Sequence, residues 1–558
     1  MPAANAAELL RRNAADPDRA GRPALRFGDQ VWTHREYVAE CARWAGLFLA
    51  RRAEDRPFHV ALLLDNIPEY LFAFGGAALV GATIVGLNHT RRGAALLRDI
   101  QHTHCQLLIS EPRHAELIDP LRGQCGIDPD NQLEVGASLS SALAAFGPTD
   151  PGVDPDPDSP WALIFTSGTS DAPKAVICSQ RRIMVTSVRM SILMQLTADD
   201  VGYVCMPLFH SNSVMCGWGP SLVTGASIGL ARRFSASGWL ADVRHYGATW
   251  FNYTGKPLAY IMATPAHADD ADNTLRVAYG NEGSPQVVEA FARRFDVRVI
   301  DAFGATEGGV AVTRVDGAPA GAMGLVGESV KVVDEEGREL PRARFDGTGR
   351  LIEPEACVGE IVNVAGTGPF EGYYNNDEAN SRATRFGWYW SGDLGYIDEA
   401  GFLYFAGRNA DWIRVDGENF PSGPIEAVVA RHPDILFSAV YGVPDIQAGD
   451  QVMATLVLRD GAAFDAAAFA AWLDDQADLG PKWRPRYVRI TAAMPSTPTN
   501  KILKRTLVSE KFRSDRTGGD AIWVRDRDAP QYRPFTTDDE DATRQAMSDA
   551  GRERFWDL

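Results

Sequence analysis

Apolar side chains recur at three- and four-residue intervals from Glu36 to Arg52, and shortly afterwards the chain runs His59-Val-Ala-Leu-Leu-Leu64. The first pattern predicts a helix with one buried face, the second a strand buried on both. The alternation repeats, with a helix from Pro68, a strand over 82–85, a helix over 94–102 and a strand over 106–109. Units of that length predict an α/β fold in which a mostly parallel sheet is covered by helices. The most apolar stretch, Leu71 to Leu87, carries four glycines and is too short for a membrane span; it reads as a packed helix followed by a strand. Five prolines and four aspartates between Phe146 and Pro160 read as a solvated linker.

A chain of 558 residues exceeds one core, so two or three domains are expected. The formal charge of −18 argues against nucleic acid or anionic membrane as the main partner. A polyanionic ligand must then be held by local basic groups. Peripheral membrane contact and a homodimer are compatible with the sequence; a transmembrane segment and a signal peptide are not expected. Seven cysteines without a Cys-x-x-Cys pair suggest reduced thiols and a cytoplasmic protein, with Cys178, Cys205 and Cys216 in the core. His102 and His104 have the spacing of one strand face and, lacking a third ligand nearby, read as structural. Gly225-Ala-Ser-Ile-Gly229 fits the serine-hydrolase elbow, but Ala226 to Leu230 itself reads as the strand where a helix should follow Ser227.

The segment Leu163-Ile-Phe-Thr-Ser-Gly-Thr-Ser-Asp-Ala-Pro-Lys-Ala175 passes from a buried strand end into small, turn-forming residues. Hydroxyls, backbone N–H groups and one lysine in a tight loop make a cradle for a polyphosphate. Its spacing is not that of a Walker A loop. The string resembles the Thr-Ser-Gly-Thr-Thr-Gly-x-Pro-Lys-Gly signature of the adenylate-forming superfamily (acyl-CoA synthetases, peptide-synthetase adenylation domains, luciferase), with Asp171 and Ala175 where glycine is usual. The resemblance implies that Thr166, Ser167, Gly168, Thr169, Ser170 and Lys174 hold the phosphates of ATP.

Further motifs follow in the superfamily's order. Met206-Pro-Leu-Phe-His-Ser-Asn-Ser213 resembles the aromatic-His segment bordering the acyl pocket, which implies His210 as a substrate contact. Phe251-Asn-Tyr-Thr-Gly-Lys-Pro-Leu-Ala-Tyr260 and Ala278-Tyr-Gly-Asn-Glu-Gly-Ser-Pro285 resemble segments of the fatty acid transport protein and very-long-chain acyl-CoA synthetase group. They imply Tyr253 at the substrate and Gly280, Asn281 and Glu282 along the adenine. Asp301-Ala-Phe-Gly-Ala-Thr-Glu-Gly308 matches aromatic-Gly-x-Thr-Glu. The match implies Phe303 and Gly304 against adenine, Thr306 at the α-phosphate and Glu307 on Mg²⁺, a hard carboxylate for a hard cation. Gly387-Trp-Tyr-Trp-Ser-Gly-Asp-Leu-Gly-Tyr396 and Gly401-Phe-Leu-Tyr-Phe-Ala-Gly-Arg408 imply Asp393 and Arg408 on the ribose, a carboxylate and a guanidinium meeting both faces of a diol.

The resemblance also implies a large N-terminal domain, 1–408, of mostly parallel sheets with a β-rich subdomain. A small mobile α+β domain, 409–515, and an extension, 516–558, would follow. The hinge falls at Ala410 or Asp411. Pro481-Lys-Trp-Arg-Pro-Arg486 places Lys482 and Arg484 as a seat for the CoA phosphates. Pro495-Ser-Thr-Pro-Thr-Asn-Lys-Ile-Leu-Lys504 matches the catalytic-lysine motif, with Asn500 for glycine, and maps the lysine to Lys501 instead of Lys504. The implied activity is ATP-dependent acyl-CoA ligation of a fatty or bulky hydrophobic carboxylic acid, using Mg²⁺. Alternatives are an acyl-AMP ligase loading a carrier protein, a serine hydrolase at Ser227, and a nucleotide-binding protein without turnover.

Asp171 puts a charge into the loop itself. If its carboxylate faces the phosphates, Asp171→Gly should lower the KM for ATP, because a like charge leaves the side of a polyanion. An unchanged or higher KM in steady-state assays would mean that the side chain points away.

Overall fold

The computed structural model describes residues 3–549 and 556, apart from 54–55, 167–172, 255, 282, 284, 316, 320, 409–411, 416–417, 446–448, 498–500 and 527–528. At 285–286, 408, 418–419 and 449 it describes the backbone alone. The chain divides into two compact units, one of Met1–Gly309 with Pro369–Arg382, the other of Val310–Gly368 with Ala383–Leu558.

The first unit contains the predicted alternation. Thr33 caps the helix His34–Arg51 through a reciprocal bond with Glu36, and the strand His59–Leu63 follows, buried throughout. Helix Pro68–Val80 and strand Thr83–Gly86 account for the apolar stretch, and helix Gly93–His102 leads to strand Leu107–Ser110. These strands lie in a six-stranded sheet ordered Gln132–Glu134, Leu107–Ser110, His59–Leu63, Thr83–Gly86, Pro160–Phe165, Ala175–Ser179. It is parallel except for the last pair, which brackets the proposed phosphate loop as an antiparallel hairpin. A second sheet in this unit runs Arg298–Gly304, Val277–Asn281, Trp250–Thr254, Val201–Val204, Ser227–Leu230, Pro23–Phe27, Gln30–Thr33. Its parallel order brings the C-terminal ends of several strands to one rim, where open α/β sheets bind ligands.

The second unit is richer in β-structure. A five-stranded antiparallel sheet runs Ala322–Leu325, Phe402–Arg408, Tyr389–Ile397, Gly359–Asn363, Val330–Val333. A mixed sheet is built on the long hairpin of Ile435–Asp445 and Gly449–Leu458. Residues beyond 515 add strands Ala521–Val524 and Arg533–Pro534 to that sheet, and Met547 and Trp556 enter its core with Phe512. A helix, Thr537–Asp549, follows in the acidic tail. This is the α/β architecture, with antiparallel and α+β parts, that the sequence predicts. No described helix is long and apolar enough to cross a membrane.

Two local expectations need correction, and a third stands. His102 ends a helix and His104 sits in a left-handed turn, because the Thr103 hydroxyl back-bonds to the Asp99 carbonyl at 2.8 Å and stops the helix there. The two rings meet Tyr374 instead of a metal, His102 at its carbonyl (2.9 Å) and His104 at its hydroxyl (3.1 Å). The Pro- and Asp-rich segment is tied down by the first helix: Asn5 donates to Asp154 and Pro155, and Arg11 to Asp150 and Val153. Ser227 opens the buried strand Ser227–Leu230, and the next helix begins only at Trp239, so no nucleophile elbow forms and the hydrolase alternative falls.

Asp99 is fully buried, and burial pushes its carboxyl up to about 6 against the pull of Arg91, 3.0 Å away. The folded group therefore keeps its proton to a higher pH than the unfolded one, and stability falls as pH rises from 3.8 to about 6 and stays lower above. Asp99→Asn should add about 1–3 kcal/mol near neutral pH, with the gain vanishing below about pH 4. Thermal unfolding at both pH values checks this; an equal shift at both would contradict it.

Candidate functional site

In the first unit the site is built where strand Arg298–Gly304 ends beside the base of the phosphate loop. Thr166 N–H donates to the Lys174 carbonyl (3.0 Å) and closes that base; Ser167, Gly168, Thr169, Ser170 and Asp171 lie outside the described residues. The loop's second strand is flanked by residues 372–376, with Ile177 N–H on Gly372 and Tyr374 N–H on Ala175 (2.9 and 2.8 Å). That pairing brings Tyr373 between the loop and Glu307. Its hydroxyl donates to Glu307 Oε1 at 2.8 Å, Thr166 Oγ1 reaches the same oxygen at 3.4 Å, and Lys174 Nζ lies 5.5 Å from the Tyr373 ring centre. Glu307 is only 8% exposed and, among the described residues, makes no ion pair. A buried carboxylate held by hydroxyls alone suits a cation.

Thr306 is positioned from two sides. Its hydroxyl meets Ser211 Oγ at 2.8 Å, and its carbonyl accepts from Arg182, whose other terminal nitrogen donates to Ile177 O at 2.7 Å. Buried Arg182 thus ties the turn carrying Thr306 and Glu307 to the strand leaving the phosphate loop. Phe303 and Gly304 are half-buried at the strand end, and a Cβ on Gly304 would meet nothing within 4 Å. Gly280 differs: a Cβ there would stand 2.4 Å from the Tyr253 carbonyl oxygen, so glycine is required by the neighbouring strand. Tyr253 is fully buried, its hydroxyl donating to Asp301 Oδ2 (2.7 Å), which also accepts Gly283 N–H (3.0 Å). Burial first, then Asp301, push its phenol well above the ordinary range. Tyr253 therefore braces the turn after Asn281, and Glu282 lies outside the described residues. His210 is half-buried, its ring against Phe209 at 4.8 Å between centres.

Asp65, Glu111 and His114 converge closely enough to hold a metal, but Arg113 pairs with Asp65 and Arg232 with Glu111. Guanidinium groups already neutralise both carboxylates, which disfavours a cation there.

In the second unit, Asp393 and Arg408 are cross-strand partners, with Asp393 9% exposed. Lys501 closes a hairpin, its N–H on Thr497 Oγ1 (3.0 Å) and its carbonyl taking Thr497 N–H (2.8 Å). Lys504, three residues on, is paired with Glu426 at 2.7 Å and Ser422 at 3.2 Å, and Glu426 also accepts Val440 N–H. Lys482 is exposed, while Arg484 pairs with Asp474 at 3.0 Å, a carboxylate that Arg525 also holds. Ala410 and Asp411 lie outside the described residues.

Ser211 stands inside the segment Met206 to Ser213 that the sequence marked, yet no spacing showed its partner; Arg182 carried no signal at all.

The model of the AMP-binding enzyme family matches residues 10–374, and that of the AMP-binding enzyme C-terminal domain matches 424–501. The chain belongs to the AMP-binding enzyme family. It is an acyl-CoA ligase of the adenylate-forming superfamily, an acid–thiol ligase that uses ATP and CoA. A steroid-22-oyl-CoA synthetase of Rhodococcus jostii is 44% identical over 547 residues, covering 96% of this chain and 97% of the relative. A medium/long-chain-fatty-acid–CoA ligase, FadD17, of Mycobacterium tuberculosis is 46% identical over 484 residues, covering 87% and 93%. An anthranilate CoA ligase in complex with anthranoyl-AMP shares the fold at a TM-score of 0.79 and 22% identity, over 92% of this chain and 97% of that one.

Glu307→Gln should cut acid-dependent pyrophosphate release by about two orders of magnitude, in line with the loss of other preorganised charge stabilisers, while ATP still binds weakly. Tyr373→Phe, which only frees the Glu307 oxygen, should cost about tenfold or less. Near-normal turnover of the Glu307 variant would remove that carboxylate from the site.

Proposed function

We propose that this ligase activates a fatty or bulky hydrophobic carboxylic acid in two steps on one nucleotide site. The grouping that carries the reading is Thr166, Thr306, Glu307 and Tyr373 around the end of strand Arg298–Gly304. A carboxylate oxygen of the acid attacks the α-phosphorus of ATP, the bond to the β-phosphate oxygen breaks, and pyrophosphate leaves. The thiol of CoA then attacks the carbonyl carbon of the acyl-adenylate, AMP departs, and the thiol proton passes to solvent. In the first step the loop Thr166 to Lys174 cradles the departing phosphates, Thr306 donates to the α-phosphate and Lys501 offsets the growing charge. Phe303, Gly304 and the backbone of Gly280 and Asn281 line the purine, and Asp393 with Arg408 holds the ribose. Mg²⁺, held by Glu307, would neutralise phosphate charge.

The similarity to ligases for steroid-22-oyl and medium or long fatty acyl groups supports a large apolar acid. Residues 409–515 act as the mobile domain in this reading, turning about Ala410 or Asp411, with 516–558 attached, and Lys482 and Arg484 meet the CoA phosphates. A cytoplasmic setting fits seven unpaired, buried cysteines. Loading of a carrier protein is the competing second step, and omitting CoA from a thioester assay separates the two.

Lys501→Ala should slow acyl-adenylate synthesis by about two or more orders of magnitude. Given chemically made acyl-adenylate and CoA, the same variant should form thioester at nearly the normal rate. Lys504→Ala breaks the pair with Glu426, so it should lower stability by about 1 kcal/mol without separating the half-reactions. Equal slowing of both steps by Lys501→Ala would refute the rotating-domain reading.

A further inference from the structure

Three residues beyond strand His59–Leu63, the side chain of Asn66 reaches out of its own sheet. Its amide nitrogen donates to the Met206 carbonyl at 2.9 Å and to the Ala231 carbonyl at 3.2 Å. Its oxygen accepts the Leu208 N–H at 2.9 Å. Met206 and Ala231 follow two neighbouring strands of the other sheet, Val201–Val204 and Ser227–Leu230. A single side chain, 3% exposed, thus joins the rims of both sheets through three peptide groups. An amide offers two donors and an acceptor in one plane, a combination that no apolar or carboxylate side chain provides. Phe209, next along, is pressed onto the six-stranded sheet: a Cβ on Gly86 would stand 2.7 Å from its Cβ, and the His89 ring meets it edge-on at 5.3 Å.

Between Met206 and Ser213 the chain closes on itself. His210 N–H donates to the Pro207 carbonyl at 3.0 Å, and Ser213 Oγ donates at 2.6 Å to the same Met206 carbonyl that Asn66 holds. Asn212 fastens the turn to the Tyr253 carbonyl at 3.1 Å. Ser211 stands within this turn, with its hydroxyl 2.8 Å from that of Thr306. Either oxygen of the pair can supply the proton. If Thr306 donates to Ser211, its one hydrogen is committed there. If Ser211 donates, Thr306 keeps its hydrogen for a phosphate oxygen, and the two bonds in line strengthen each other. That chain works only while the spacing of the two oxygens holds. Asn66 fixes it from the sheet whose last hairpin carries Thr166 and Lys174.

We propose that Asn66 is a positioning residue for adenylation, acting through Ser211 to keep the Thr306 proton aimed at the α-phosphate; this rests on the placing of Thr306 given above. Asn66 itself touches no reacting atom. Its three bonds set the turn, the turn sets Ser211, and Ser211 sets the direction in which Thr306 donates.

The test is a double-mutant cycle on the acid-dependent exchange of labelled pyrophosphate into ATP, which reads adenylation alone. Dodecanoic, hexadecanoic and cholanic acids serve as probes, and every assay is run below the thermal midpoint of the variant. Ser211→Ala and Asn66→Ala should each lower the maximal exchange rate by about tenfold, with the KM for ATP moved by less than about twofold. Together they should cost little more than either alone, because the second change finds the Ser211 contact already lost. Asn66→Asp keeps the shape and the Leu208 bond without the donors, and takes the place of Asn66→Ala in the cycle if that variant does not fold. Losses that multiply show a merely structural Asn66 and overturn the inference, as does a wild-type rate in Ser211→Ala. Thr306→Val should lose about two orders of magnitude. Wild-type exchange in that variant overturns the placing of Thr306, and this inference with it. Wild-type exchange with none of the acids overturns the adenylation reading and this inference together.

Discussion

A carboxylate buried among hydroxyls is the constraint on which the rest of the candidate site depends. Glu307 meets Tyr373 and Thr166 but, among the described residues, no cation. Hydroxyl donors stabilise such a charge only while their geometry is held, so the surroundings are rigid. Arg182 binds the Thr306 carbonyl, segment 372–376 is paired to the strand leaving the phosphate loop, and Asn376 donates to the Pro173 carbonyl at 3.1 Å. Distant stretches of chain are thereby bound to one turn, in a protein whose net charge of −18 gives an anion no help.

Much of this could be read from the sequence because period and order report on local matters. The alternation from Glu36 to Ser110 appears with boundaries moved by a residue or two, since an apolar run marks a buried strand wherever its partners lie. His102 and His104 show the limit: a two-residue spacing resembles a strand face, but the hydroxyl of Thr103 decides the backbone. The motifs likewise named Thr306, Glu307 and Asp393 without naming what positions them. Tyr373 reaches Glu307 across 66 residues and Arg182 reaches Thr306 across 124. Contacts of that separation are set by strand order, which no spacing encodes. The motif separates Lys504 from Lys501, but only the structure shows that Lys504 pairs with Glu426.

The two sheets of the first unit divide the labour. The six-stranded sheet ends in the hairpin that carries Thr166 and Lys174; the other ends in the strand that leads to Thr306 and Glu307. Glycine appears at Gly280 and Gly217 because neighbouring backbone and side chains leave no room for a Cβ. Thr306 and Glu307 thus follow a strand end in a sheet whose interior is fixed by aromatic packing, which keeps an open rim from becoming a loose one.

The strands beyond residue 515 bear on when the protein becomes active. Lys501 stands on a hairpin next to a core that includes Ile522, Val524, Met547 and Trp556. A ribosome that has already translated the lysine has still not delivered the side chains that close that core. The first unit, encoded mostly earlier, can gather its sheets during synthesis, whereas the second must wait for its last strands. A nascent chain would therefore hold Lys501 on an unsettled hairpin until the last strands arrive, so truncation within residues 516–558 would loosen that lysine before it disturbed the sheets of the first unit.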